Sequence, residues 1–150
     1  MTLTLDHEMV LVTAHTAASI LGVTTQDILD RVDRGELVSF NVGSGSRREL
    51  RIWTQSIASR LPMAMAPDRV VDQVANSLYG RRAEISVIEA GRRCSIDRSI
   101  LYRMHYRGEI SFGAVGIPRA TWRDYLSRTF QGCPSPSRCV AGQHDGGPNQ

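Results

Sequence analysis

Apolar residues along this chain come in short bursts, most of them with a helical period and several closed by a glycine. Ala17, Ala18 and Leu21 form one small face of a helix predicted over 14–21, with Thr13 as N-cap and Gly22 as stop. Ile28 and Val32, four apart, mark the inward side of a second helix that starts after Thr24 and runs to about residue 34, where Gly35 ends it. The period then changes. Residues 37–42 read as a strand and 50–52 as its return partner, around the flexible basic tip Gly43-Ser44-Gly45-Ser46-Arg47-Arg48. A third helix is predicted from residue 54 to about 60, broken by Pro62.

Farther along, residues 68–79 carry Val70, Val71, Val74 and Leu78 on one side, a stripe that must bury against the flanking units or another chain. Ser86 caps a predicted helix over 87–94, and Asp97 caps one running to Arg107 before Gly108. Phe112-Gly113-Ala114-Val115-Gly116-Ile117 reads as a much shorter hairpin without a basic tip. Pro118 opens a last helix over 119–130, with Trp122 and Leu126 on one face. From Gln131 on, Gly, Pro, Ser and polar residues have the composition of a disordered tail.

These elements occur twice. A shift of 73 residues lays Val23-Thr24-Thr25-Gln26-Asp27-Ile28-Leu29 on Ile96-Asp97-Arg98-Ser99-Ile100-Leu101-Tyr102 without a gap, and Arg34-Gly35-Glu36-Leu37 on Arg107-Gly108-Glu109-Ile110. A repeat of this length is one supersecondary unit used twice. The resulting map is a first unit over 1–61, a hinge and linker helix over 62–83, a second unit over 84–130 and a tail over 131–150.

Composition narrows the function classes. All 18 basic residues are arginine, a bias that a GC-rich coding sequence explains. The chemical consequence holds regardless, because the guanidinium fork suits phosphates and guanine edges. A net charge of +3 says little by itself, but its distribution is uneven: residues 1–66 carry six arginines against seven acids, residues 84–130 eight against five. No run approaches the roughly 18 apolar residues of a membrane span. The first residues carry acids where a signal peptide needs positive charge, so the expected location is cytoplasmic. Cys94 falls where the first copy has Leu21 and is expected in the core. Cys133 and Cys139 lie in the tail without metal-ligand spacing, so no metal and no cofactor are expected. No phosphate loop, nucleophile–base set or apolar carboxylate pair is present, and the chain does not read as an enzyme.

With Ala17-Ala18, Leu21-Gly22-Val23-Thr24, Arg34-Gly35-Glu36-Leu37 and Arg51-Ile52 in one copy, and Ser99, Tyr102-Arg103, Arg107-Gly108-Glu109-Ile110 and Ile117-Pro118-Arg119 in the other, the chain resembles the excisionase-like winged helix-turn-helix family, kin to the DNA-binding domains of MerR-type regulators. The resemblance covers about two thirds of the chain. It implies a mainly α fold with small β-hairpin wings, as tandem winged helix-turn-helix units joined by a linker helix. It further implies double-stranded DNA as partner, with the second helix of each unit in the major groove and the wing on the backbone. An integrase, or a further copy of the chain on an adjacent site, is an added candidate partner. No sensing domain is apparent, so no small-molecule effector is expected.

The two copies differ in charge. The first recognition helix carries Asp27, Asp30 and Asp33 against Arg31 and Arg34; the second carries Arg98, Arg103 and Arg107 against the single acid Asp97. Phosphate neutralisation favours the second. Arg98 and Ser99, in its first exposed turn, are the candidate base readers, together with Thr25 and Gln26 at the same positions of the first copy. Tyr102, Arg103, Arg107 and Arg119, with the wing residues Arg47, Arg48 and Arg51, are the candidate backbone contacts. Tyr102 has a competing role in the core, and His105, aligned with Val32, is expected to be packed. For the first unit three readings stand open: phosphate contact through the wing, cytosine reading by Asp27 or Asp30, or a protein-docking face of the antitoxin or antiactivator kind.

Overall fold

The computed structural model describes residues 9–43, 47–58 and 66–131. The first half holds β1 (Leu11–Thr13), α1 (Ala14–Leu21), α2 (Thr25–Asp33), β2 (Ser39–Asn41), β3 (Leu50–Trp53) and α3 (Thr54–Ala58). There follow α4 (Pro67–Tyr79), β4 (Glu84–Ile85), α5 (Val87–Cys94), α6 (Arg98–Tyr106), β5 (Ile117–Pro118), α7 (Arg119–Thr129) and β6 (Phe130–Gln131). The architecture is helical with two small antiparallel sheets. Among the described residues no helix is long and apolar enough to cross a membrane. The Ser44–Ser46 part of the basic tip, Arg60, the hinge at 62–65 and the tail from residue 132 lie outside the described residues.

The 73-residue register holds for the helix bounds, since α5 and α6 begin and end where α1 and α2 do. It also holds for the hydrogen bonds that set those bounds. Thr13 Oγ1 accepts from the Thr16 amide and Ser86 Oγ from the Glu89 amide, each at 3.1 Å. Gly35 and Gly108 both sit at φ +77°, a left-handed conformation that a glycine adopts without steric cost. Their amides donate to Val32 O and His105 O, and the next amides to Arg31 O and Met104 O, closing both helices identically. Asp97 departs from expectation. It occupies the N-cap position, but its Oδ2 accepts from Ser99 Oγ at 2.6 Å and makes no cap bond.

After the second helix the units diverge. In the first, β2 and β3 pair as an antiparallel hairpin, and β3 also pairs with β1. In the second no strand forms at Phe112; β5 pairs directly with β4, in the register that β3 has with β1. The span from Leu11 to its partner Trp53 is eight residues longer than that from Glu84 to Pro118, which is the length lost from the hairpin. What remains is a tight loop whose Val115 and Gly116 amides donate to Glu84 Oε1, each at 3.0 Å. Gly116 is required there, because a Cβ would stand 2.0 Å from Ile85 O.

Strand β3 is buried along its whole length, since its sheet is covered on both faces. Leu50 and Ile52 face a core with Val12, Ala17, Ala18, Ile28, Val32 and Leu37. Trp53 faces the other way, into a larger core shared with Leu11, Phe40, the α4 stripe Val70, Val71, Val74 and Leu78, and Cys94, Leu101, Trp122 and Leu126. The α4 stripe is therefore buried within the chain, most extensively against α7. Strand β6 then completes the first unit's sheet in the order β1-β3-β2-β6, pairing Phe130 with Phe40 and Gln131 with Ser39. Gln131 thus belongs to the sheet and not to the tail. Cys94 is fully buried as expected, and desolvation pushes its thiol up to about 12.

Candidate nucleic-acid interface

Helix α6 turns Leu101 and Met104 inward. Six other positions form two parallel ridges at i, i+4 spacing on its outer surface: Arg98, Tyr102 and Tyr106, beside Ser99, Arg103 and Arg107 at the helix end. All six are exposed. Among the described residues Arg98 and Arg103 have neither a hydrogen-bond nor an ion-pair partner. Arg107 has only a loose pair with Glu109 at 3.9 Å. The expected readers Arg98 and Ser99 and the expected backbone contacts Tyr102, Arg103 and Arg107 thus share one surface.

That surface is also aromatic. Tyr102 stands edge-on to Phe112, with ring centroids 5.3 Å apart, and His105 stacks flat on the same Phe112 ring at 4.2 Å. The Phe112 amide donates to His105 Nδ1 at 3.3 Å. His105 is therefore exposed, and its assignment to the core as the counterpart of Val32 is corrected. The inward positions of α6 are three apart, Leu101 and Met104, where those of α2 are four apart, Ile28 and Val32. Residue 105 therefore falls outside the buried face of α6. Tyr102, 47% exposed, is likewise a surface ring, and Tyr106 is 87% exposed.

Helix α2 presents a different chemistry on the same backbone. Asp27 pairs with Arg31 at 3.5 Å, Asp30 Oδ1 accepts from Gln26 Nε2 at 3.1 Å, and Asp33 pairs with Arg48 at 3.1 Å. Its acids are thus engaged locally, and Arg48 is drawn from the hairpin tip onto the end of α2. Thr25 and Gln26 are exposed at the start of that helix. Arg47 is exposed at the tip, with Glu49 at 3.7 Å.

Two expected backbone contacts are placed elsewhere. Arg51 is only 5% exposed: Nε donates to Ser95 O at 2.9 Å, Nη1 to Leu50 O at 3.0 Å, and Nη2 to Glu49 Oε2 at 2.9 Å. Strand alternation explains this, since Arg51 points to the face opposite Leu50 and Ile52, where the second unit packs. Arg119 donates to Gly80 O at 3.0 Å and to Asn76 Oδ1, so it caps the C-terminal end of α4.

Through Arg51, the first unit's sheet grips the turn between α5 and α6. Ser95 Oγ donates to Leu11 O at 2.9 Å, and the Val10 amide to Arg93 O at 2.8 Å. Ser95 holds φ +57° where the first copy has Gly22 at +71°, a conformation that favours glycine. Its hydroxyl supplies the bond to Leu11 that a glycine lacks. Beside this turn, Met9, Ile88, Arg92, Ile96 and Arg98 line a shallow groove at the start of α6, with Ile88 63% exposed. Next to it Glu89 accepts from Arg82 at 2.6 and 2.8 Å, which holds its carboxyl below the usual range. No family model, no curated protein and no solved structure matches the chain.

Proposed function

We propose that the chain is a sequence-specific double-stranded DNA-binding regulator built from two winged helix-turn-helix units, in which α6 reads the major groove. The observation that carries this is the outer surface of α6, where Arg98 and Arg103 stand exposed, with no side-chain partner among the described residues, in a helix that follows a tight turn. Arg98 at the first turn is positioned for a guanine edge; Arg103 and Arg107 suit phosphates. The first unit contributes through its tip. Arg47 is exposed, and the exposed Arg48–Asp33 pair is worth little in water, so a phosphate can replace the carboxylate. The rival reading, an acidic first unit docking on a basic protein, draws on Asp27, Asp30 and Asp33, whose surface pairs are as replaceable as the Arg48–Asp33 pair; it requires that charge reversal at Asp27 and Asp30 leave DNA affinity unchanged.

Binding to the DNA upstream of the chain's own gene tests this. Arg98→Ala should cost about 1–3 kcal/mol in specific affinity, and Arg103→Ala should weaken all sequences alike and reduce the salt slope by about one. Unchanged specific binding by Arg98→Ala refutes the assignment. A regulator that bends DNA for an integrase is separated from a simple repressor by circular-permutation mobility, where a strong bend supports the architectural role.

A further inference from the structure

We infer that the Tyr102–Tyr106 ridge of α6 reads thymine 5-methyl groups, so that the bound site pairs a guanine contact at Arg98 with thymines farther along the helix. This rests on the DNA-binding reading and specifies its ligand. Tyr102 and Tyr106, at 47% and 87% exposure, stand one turn apart and form an aromatic strip on α6. The first unit has Leu29 and Asp33 at the two tyrosine positions, so the strip belongs to the second unit alone. Its immediate neighbours are cations, Arg98, Arg103 and Arg107, which favour a polyanion over an apolar protein surface. The thymine C5 methyl is the apolar group that base edges present in the major groove, and an aromatic side chain matches it.

The strip is also held in place. Phe112 supports Tyr102 edge-on and is itself stacked on His105, so Tyr102 loses little side-chain freedom on contact. Arg98 and Tyr106 are eight residues apart on one ridge, about 12 Å along the helix and so roughly 3–4 base steps of groove. A guanine and a thymine should therefore recur within about four steps in the bound sequence.

The test begins with selection from a random-core duplex pool by the full chain. The selected duplexes are then remade with deoxyuridine for thymine, which removes only the methyl. Wild type should lose about three- to fivefold affinity per buried methyl. Tyr102→Ala/Tyr106→Ala should bind the thymine and uracil duplexes equally, whereas Tyr106→Phe, which keeps the ring, should still discriminate. An unchanged circular dichroism melt verifies that these exposed substitutions leave the fold intact. Equal wild-type affinity for both duplexes, with Arg98→Ala still weakened on each, overturns the thymine inference and leaves DNA binding standing. Failure to select any duplex overturns both.

Discussion

Helices α2 and α6 have the same length, the same offset from their preceding helix and the same glycine stop, yet their exposed surfaces have opposite characters. On α2 each aspartate has a partner, two of them arginines and one Gln26, whereas on α6 Arg98 and Arg103 have no side-chain partner among the described residues and stand beside two tyrosines. The pair teaches that backbone repetition and chemical repetition are separable. The shared inward position of Ile28 and Leu101 is apolar in both units, whereas buried Val32 is matched by exposed His105 and the outward positions diverge. The hairpin follows the same division of labour. Where the first unit keeps a full sheet, that sheet supports the second unit's turn; the second unit keeps only the loop that carries Phe112.

This asymmetry can be broken at several points, taken from the largest effect down. Trp122→Ala should cost about 3–5 kcal/mol, because the ring is fully buried in the core that both units share. Chemical denaturation should then show one cooperative transition for the whole chain, since β6 of the second unit completes the first unit's sheet. Two separated transitions would show that the units are independent. Arg51→Ala should cost about 2–4 kcal/mol by leaving Ser95 O without its donor and removing the buried side of the Glu49 pair. That loss should be measurable by thermal unfolding even though the residue lies outside the exposed surface of α6.

Smaller effects test the turns. Gly22→Ser should destabilise by about 1 kcal/mol, from a side chain forced into the left-handed region. Ser95→Gly should be close to neutral, because relief of that strain offsets loss of the Leu11 bond, and Ser95→Ala should be worse than either consideration alone implies. Equal effects of Gly22→Ser and Ser95→Gly would contradict this account of the turn. At alkaline pH, the raised Cys94 thiol gives a stabilisation that is complete below the ordinary thiol range and is lost as pH rises toward about 12. A Cys94→Ala variant should show a flatter decline of melting temperature over that window.

Much of this architecture is legible in the residues because it is local. Thr13, Thr24, Ser86, the glycines 22, 35 and 108, and the spacing of Ile28 and Val32 all act within one or two helical turns, and each element appears where these signals place it. The α6 surface is legible for the same reason, since i, i+4 spacing alone brings Arg98 and Tyr102 together. What escaped local reading depends on distant partners. Arg51 looks like a hairpin cation until Ser95 is brought against it from 44 residues away, and Gln131 looks like tail until β2 offers an edge 92 residues distant. His105 needed the ring of Phe112, whose position follows from the shortened loop.

On the DNA-binding proposal, two equivalent positions do unequal work. Arg98 and Thr25 occupy the same place in the repeat, at the first turn of α6 and of α2. The direct measurement is the specific-over-random DNA affinity of Arg98→Ala beside that of Thr25→Ala, at one fixed salt concentration. A loss of about 10- to 100-fold is expected for Arg98→Ala and of less than about threefold for Thr25→Ala. Equal losses, or a loss confined to Thr25→Ala, would contradict that proposal.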